Sequence, residues 1–209
     1  MKSAERILII VLVVMASACS TPRVVKEKPA AETKPGSAES AAKKPAVKPV
    51  DPQAQQAYSN ALEAMQQEDY QRALSLLTSM TQAHPELSGP YTNIGIIHYR
   101  AGRLQEAQDA FKQAVVVNPQ NAVAYNHLGI AQRESGLFND AEQSYLKAIE
   151  QQPDFANAHL NLGILYDIYL LQLDKALQHY QQFQTLQQTE DPTVKNWVIG
   201  LQRRLKVSK

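Results

Sequence analysis

The chain has 209 residues, with 21 Lys/Arg against 20 Asp/Glu, a length for one or two domains and a net charge near zero. The charge is uneven: residues 1–52 hold nine basic and five acidic side chains, and residues 53–209 hold twelve and fifteen, so the larger part is weakly acidic and argues against nucleic acid as its partner. Cys19 is the only cysteine, which excludes an intrachain disulfide and any zinc site built on two or four cysteines.

Lys2 and Arg6 precede an unbroken apolar run at 7–15, ILIIVLVVM, followed by Ala16-Ser17-Ala18-Cys19. A basic start, a run too short to span a bilayer and a small-residue end predict a secretory signal peptide over 1–18. The small residues directly before Cys19 resemble the bacterial lipobox. That resemblance implies a diacylglycerol on the Cys19 thiol, cleavage just before it and acylation of the new amine. The membrane is then reached through the lipid anchor alone, and several acyl chains hold where one binds only marginally. Ser20 after the cysteine, rather than aspartate, implies sorting to the periplasmic side of the outer membrane in a Gram-negative bacterium. Ordinary cleavage after Ala18 is the alternative, since Ala16-Ser17-Ala18 fits the usual signal-peptidase pattern as well.

Residues 19–52 follow as a tether. The stretch 20–52 holds six prolines, seven basic and four acidic residues and no aromatics. It cannot bury enough apolar surface to offset ordering, so it is expected to be disordered and extended. Lys43, Lys44 and Lys48 belong either to a solvated spacer, the favoured reading, or to a contact with anionic lipid or cell-wall polymer.

Beyond the tether the chain repeats. Pro85, Pro119 and Pro153 are evenly spaced, with 119 − 85 = 34 and 153 − 119 = 34. Gly95, Gly129 and Gly163 form a second column, Ala73, Ala107 and Ala141 a third, and Gly102 with Gly136 a fourth. A fixed period of this size marks a stacked repeat array. Each unit reads as two amphipathic helices. Small residues let the two backbones approach, a glycine suits the left-handed end of the first helix, and a proline stops the second. The stretches YTNIGIIHYRAGRLQEAQDAFKQAVVVNP and YNHLGIAQRESGLFNDAEQSYLKAIEQQP carry a resemblance to the tetratricopeptide repeat, whose unit is about 34 residues. The resemblance implies an all-α superhelix of four helix-turn-helix repeats over 53–189, starting near Ala54, Ser88, Ala122 and Ala156. A capping helix over 190–209 completes it.

The copies differ. The first has Ala61 in the glycine column and Asn60 before it, and its second helix puts Tyr70, Ala73, Leu74 and Leu77 on one face. In the second and third, Phe111 and Tyr145 fill an aromatic column. In the fourth, Gly163 and Ala176 are 13 apart where Gly129 and Ala141 are 12 apart, so one residue is inserted around 168–173. Tyr169, Leu170 and Leu171 occupy the place of the turn glycine. Packing on the following helix is the favoured reading for them, with a binding patch as the alternative. Asp191-Pro192 then starts a last helix whose Val194, Trp197, Val198, Leu201 and Leu205 share a face, with Arg203, Arg204 and Lys206 at its C-terminal end. Trp197 is read as packing in this cap rather than as a ligand platform.

No catalytic or metal-binding pattern appears. The five histidines make no H-E-x-x-H and no pair four apart, and neither a G-x-S-x-G nor a phosphate-binding glycine loop is present. The expectation is a protein that is not an enzyme, with no cofactor and no metal.

A binding surface remains. In tetratricopeptide domains the first helices line a groove, and the resemblance carries five positions of each repeat onto it. The ninth column gives an aliphatic stripe of Leu62, Ile96, Ile130 and Ile164. The others place Tyr58, Met65, Thr92, Asn93, Tyr99, Asn126, His127, Arg133, Asn157, Asn161 and Asp167 beside it. Apolar positions flanked by amides suit a peptide or an amphipathic helix. The alternative is that the isoleucines pack between neighbouring repeats. The carboxylate clamp that grips chaperone C-termini is not matched by Gly89, Thr92, Asn93 and Ile96. The layout resembles small tetratricopeptide lipoproteins of bacterial envelope machines. These include pilus-assembly lipoproteins and those accompanying ExbB/ExbD/TonB-like complexes, to which DPTVKNWVIGLQRRL is most similar. The resemblance implies a periplasmic adaptor for a protein or peptide partner. A scaffold docking cell-wall hydrolases or synthases is the alternative.

Overall fold

The computed structural model describes residues 51–207, which fall within one structural unit running Lys48–Lys209. The expected signal peptide, Cys19 and nearly all of the tether lie outside the described residues. The described part is helical, in chain order α1 Pro52–Gln66, α2 Tyr70–Ala83, α3 Ser88–Arg100, α4 Leu104–Val117, α5 Ala122–Glu134, α6 Phe138–Gln151, α7 Ala156–Ile164, a π-helical turn Leu165–Tyr169, α8 Leu173–Leu186 and α9 Pro192–Val207. This is the all-α stack of four helix pairs and a last helix that the repeat implies.

Local chemistry sets the boundaries. Asp51, Asp69, Asn121 and Asp191 each accept a bond from a backbone N–H in the first turn of the helix they precede, at 3.2, 3.1, 2.9 and 2.8 Å. Pro52 and Pro192 sit at first helical positions, where a missing N–H costs nothing. Gly102 and Gly136 have φ of +73° and +77°, so they end α3 and α5 in the left-handed conformation. Glu68 and Leu171 take the same place in the outer repeats at +59° and +53°. Neither has the freedom of glycine, so both turns are strained.

Each pair is held by one close approach. A β-carbon at Gly95, Gly129 or Gly163 would stand 2.5, 2.6 or 2.6 Å from the ring of Phe111, Tyr145 or Tyr180. The three aromatics are at most 1 % exposed, each set against a backbone that carries no side chain. In the first repeat the same two positions are Ala61 and Leu77, both fully buried. A smaller partner on α2 leaves room for the alanine methyl, so the departure at Ala61 is compensated within its own pair.

The inserted residue of the fourth repeat is absorbed at the end of its first helix. In the second and third repeats the residue after the left-handed turn bonds back five positions, Arg103 to the His98 carbonyl at 3.0 Å and Leu137 to the Gln132 carbonyl at 2.9 Å. In the fourth, Gln172 bonds back six, to the Tyr166 carbonyl at 2.8 Å. The chain widens into a π-helical turn, and α8 starts in register, which is why Tyr180 still meets Gly163. The expectation that the apolar residues here pack on the next helix is corrected: Ile168, Tyr169 and Leu171 are exposed, and only Leu170 packs inward. The wider turn swings the other three outward.

The first helices of neighbouring repeats touch, α3 with α5 and α5 with α7, whereas the second helices of neighbouring repeats share no comparable contact. The first helices therefore form the inner layer. Helix α9 packs on α8, where Val194 and Leu201 are buried and the Trp197 ring lies 5.3 Å from that of Tyr180. It covers the apolar side of the last repeat, and burying each such side chain is worth about 1.5–3 kcal/mol. Among the described residues no helix is long and apolar enough to cross a membrane.

Candidate functional site: the face of the first helices

Four of the expected groove residues are covered by the stack itself. Thr92, Asn126, Ile130 and Asn161 are only 4–6 % exposed. The reason is the inner layer: α5 is pressed between α3 and α7, so the fifth position of one repeat faces the sixth of the next. Asn161 donates to Asn126 at 3.0 Å, and Asn93 donates to the Tyr58 hydroxyl at 2.6 Å, each pair 35 residues apart. Thr92 donates to the Ser88 carbonyl and accepts from Asn121 at 3.0 Å. These bonds tie repeats together, and Thr92, Asn126 and Asn161 present little or no surface to an extended partner backbone. Ile130 belongs to the core between repeats three and four.

The remaining residues are reachable. Tyr58, Leu62, Met65, Asn93, Ile96, Tyr99, His127, Arg133, Ile164 and Asp167 are half-buried, and Asn157 is exposed. The stripe is therefore interrupted: Leu62, Ile96 and Ile164 offer apolar surface, with Ile130 sunk between them. Its charges have distinct states. Burial and then the charge of Arg100 push the His127 imidazole down to about 4, so it is neutral near pH 7, with its ring stacked 5.5 Å from that of Phe111. Burial also raises the Tyr58 phenol, against the bond from Asn93. Tyr99 donates its hydroxyl to Glu134. Asp167 accepts from Arg204 of α9 at 3.0 Å. Arg133 has no ion pair among the described residues, and its Nε is buried without a hydrogen-bond partner there. A buried N–H left unbonded costs about 1–3 kcal/mol.

Two features were not legible beforehand. Arg204 reaches the inner face at Asp167, 37 residues away, across a loop whose path the sequence does not fix. Behind the fourth repeat, His159 and His179 meet with their Nδ1 atoms 3.0 Å apart, and His159 Nε2 lies 3.2 Å from the Pro153 carbonyl. The carbonyl only accepts, so His159 carries its proton on Nε2 and accepts at Nδ1 from His179. Among the described residues no group of three metal-ligating side chains converges.

A stack of helix pairs joined by left-handed turns, with glycine opposite an aromatic in three of the four pairs, is the architecture of the tetratricopeptide repeat. Residues 92–155 and 144–182 match family models described as tetratricopeptide repeat, so the chain carries such repeats. Domains of this kind bind protein or peptide partners. No curated protein matches the chain. Among solved structures it is similar to PilF of Pseudomonas aeruginosa, with 16 % identity and a TM-score of 0.65 over 73 % of this chain and 69 % of that one. It is similar to MamA from Desulfovibrio magneticus RS-1, with 18 % identity and a TM-score of 0.63 over 75 % of this chain and 87 % of that one. It also resembles the first repeat domain of Spaghetti (RPAP3) bound to an HSP90 peptide, at 23 % identity and a TM-score of 0.53, over 56 % of this chain and 94 % of that one. At these identities the likeness is one of fold.

Proposed function

We propose that the chain is a non-catalytic adaptor that holds a segment of a protein partner on the face of its first helices. The observation that carries this reading is Arg133. Its half-buried side chain makes no ion pair among the described residues and stands on the same layer of first helices as half-buried Ile96, Tyr99, His127 and Ile164. A carboxylate on a partner pairs with the accessible part of the guanidinium while apolar side chains cover the two isoleucines. The adaptor works at the periplasmic side of the outer membrane, anchored by acyl chains on Cys19 and set off from the membrane by the tether. It supports assembly of an envelope complex of the ExbB/ExbD/TonB-like or pilus type. The lipobox-like residues before Cys19 and the C-terminal run DPTVKNWVIGLQRRL support that setting, and a PilF structure shares the fold.

The test is co-purification from detergent-solubilised membranes. The wild type brings down one envelope protein in stoichiometric amount, and Arg133→Glu with Ile96→Asp loses it while the protein keeps its helical circular dichroism. Retention of the partner by that variant rejects the groove. Recovery of cell-wall hydrolases or synthases in its place assigns the chain to cell-wall scaffolding.

A further inference from the structure

Five of the eight most exposed large apolar side chains among the described residues lie on one edge of the stack: Leu137 at 44 %, Ile168 at 60 %, Tyr169 at 43 %, Leu171 at 68 % and Val207 at 88 % exposed. Topology gathers them. Helices α5 and α7 end at this edge, α6 and α8 begin there, and α9 runs back along α8 to finish there, as the bond from Arg204 to Asp167 shows. The Phe138 and Tyr169 rings, 4.7 Å apart, join the third and fourth repeats across the patch.

Leu171 is the residue that singles the patch out. Its backbone is left-handed at φ +53°, where Gly102 and Gly136 stand in the sister repeats. A leucine is strained there, and with 68 % of it exposed the side chain gives little back to the fold. A strained, outward-facing apolar residue just beyond a π-helical turn is the kind of feature found at contact sites. Charge then says what covers it. Asp140 and Asp174, in the first turns of α6 and α8, and Arg203 and Lys206, at the end of α9, are all exposed and make no ion pair among the described residues. The edge is acidic at the starts of α6 and α8 and basic at the end of α9.

We propose that this edge is where a second copy of the chain docks, the two related by a two-fold axis passing near Tyr169 and Leu171. A two-fold contact requires a self-complementary surface, and turning this edge over brings Asp140 of one copy opposite Arg203 and Lys206 of the other. A bilayer fits less well, because Asp140 and Asp174 border the apolar centre and their desolvation is costly.

Sedimentation velocity of the purified full-length chain over a wide concentration range tests this. The wild type sediments as a dimer. Leu171→Gly sediments as a monomer, yet melts no lower than the wild type because glycine relaxes the turn. Asp140→Lys is monomeric too, and adding Arg203→Asp and Lys206→Asp to it restores the dimer. A wild type that stays monomeric, or a dimer that both Leu171→Gly and Asp140→Lys leave intact, overturns the proposal. Loss of phosphatidylglycerol-vesicle binding in Leu171→Gly, with a monomeric wild type, gives the edge to lipid instead.

Discussion

A β-carbon placed on Gly129 would stand 2.6 Å from the Tyr145 ring, closer than carbon atoms pack. The contact fixes how near α5 lies to α6, and through Gly95–Phe111 and Gly163–Tyr180 the same distance recurs along the stack. Gly129→Ala is expected to cost about 1–3 kcal/mol by overpacking. The Ala61–Leu77 pair indicates the remedy. In Gly129→Ala with Tyr145→Leu the two costs should be less than additive, by about 0.5–3 kcal/mol. Urea melts of the two single variants and the double variant check this, and strict additivity would show that the two positions are not coupled.

Leu171 and Gly136 occupy equivalent turns with φ of +53° and +77°. Leu171→Gly should therefore stabilise the folded chain, or leave it unchanged once the flexibility of glycine when unfolded is counted. Gly136→Ala should destabilise it by about 1 kcal/mol. Opposite signs in the shift of melting temperature support this account of the fourth turn.

Helix α9 holds by packing more than by charge. Leu201 is 1 % exposed, and Leu201→Ala should cost about 2–5 kcal/mol. Arg204→Ala breaks an ion pair whose arginine is half exposed, at 54 %, and should cost less than about 1 kcal/mol. A larger loss for Arg204→Ala than for Leu201→Ala in chemical unfolding would reverse that ranking.

Acid should weaken the fold in a defined window. Burial, then the charge of Arg100, holds His127 near 4, and burial with the neighbouring His159 and Lys175 holds His179 near 4. His159 is lowered as well, chiefly by burial. An unfolded histidine titrates near about 6.5, so between that value and about 4 the unfolded chain binds more protons than the folded one. Stability is then highest above about pH 6.5 and falls as the pH drops toward 4. His127→Gln should flatten part of the slope in urea melts taken from pH 7 to 4.5. An unchanged slope would mean that His127 protonates freely in the fold.

Much of the fold is legible in the residues because the repeat states it several times over. Glycine, alanine and proline columns give the helix pairs, and an extra residue between Gly163 and Ala176 marks where the fourth turn departs. The binding face is legible only in outline. Column positions place Asn126, Ile130 and Asn161 on the inner side, but how far they are covered depends on how closely α3, α5 and α7 approach. That distance is set by the whole stack. The direction in which Ile168 and Leu171 point follows from the π-helical turn, for which a one-residue insertion is the only sign. The meeting of His159 with His179 depends on the same insertion.

The central claim is that the inner face holds a partner, and photo-cross-linking in intact cells tests it most directly. Photoreactive residues belong at positions 96 and 164, whose side chains are half-buried, with position 130, 5 % exposed, as the packed control. The account predicts that 96 and 164 capture the same envelope protein, that 130 captures little, and that Arg133→Glu removes the product. Scattered products from 96 and 164, or none at either, would contradict it.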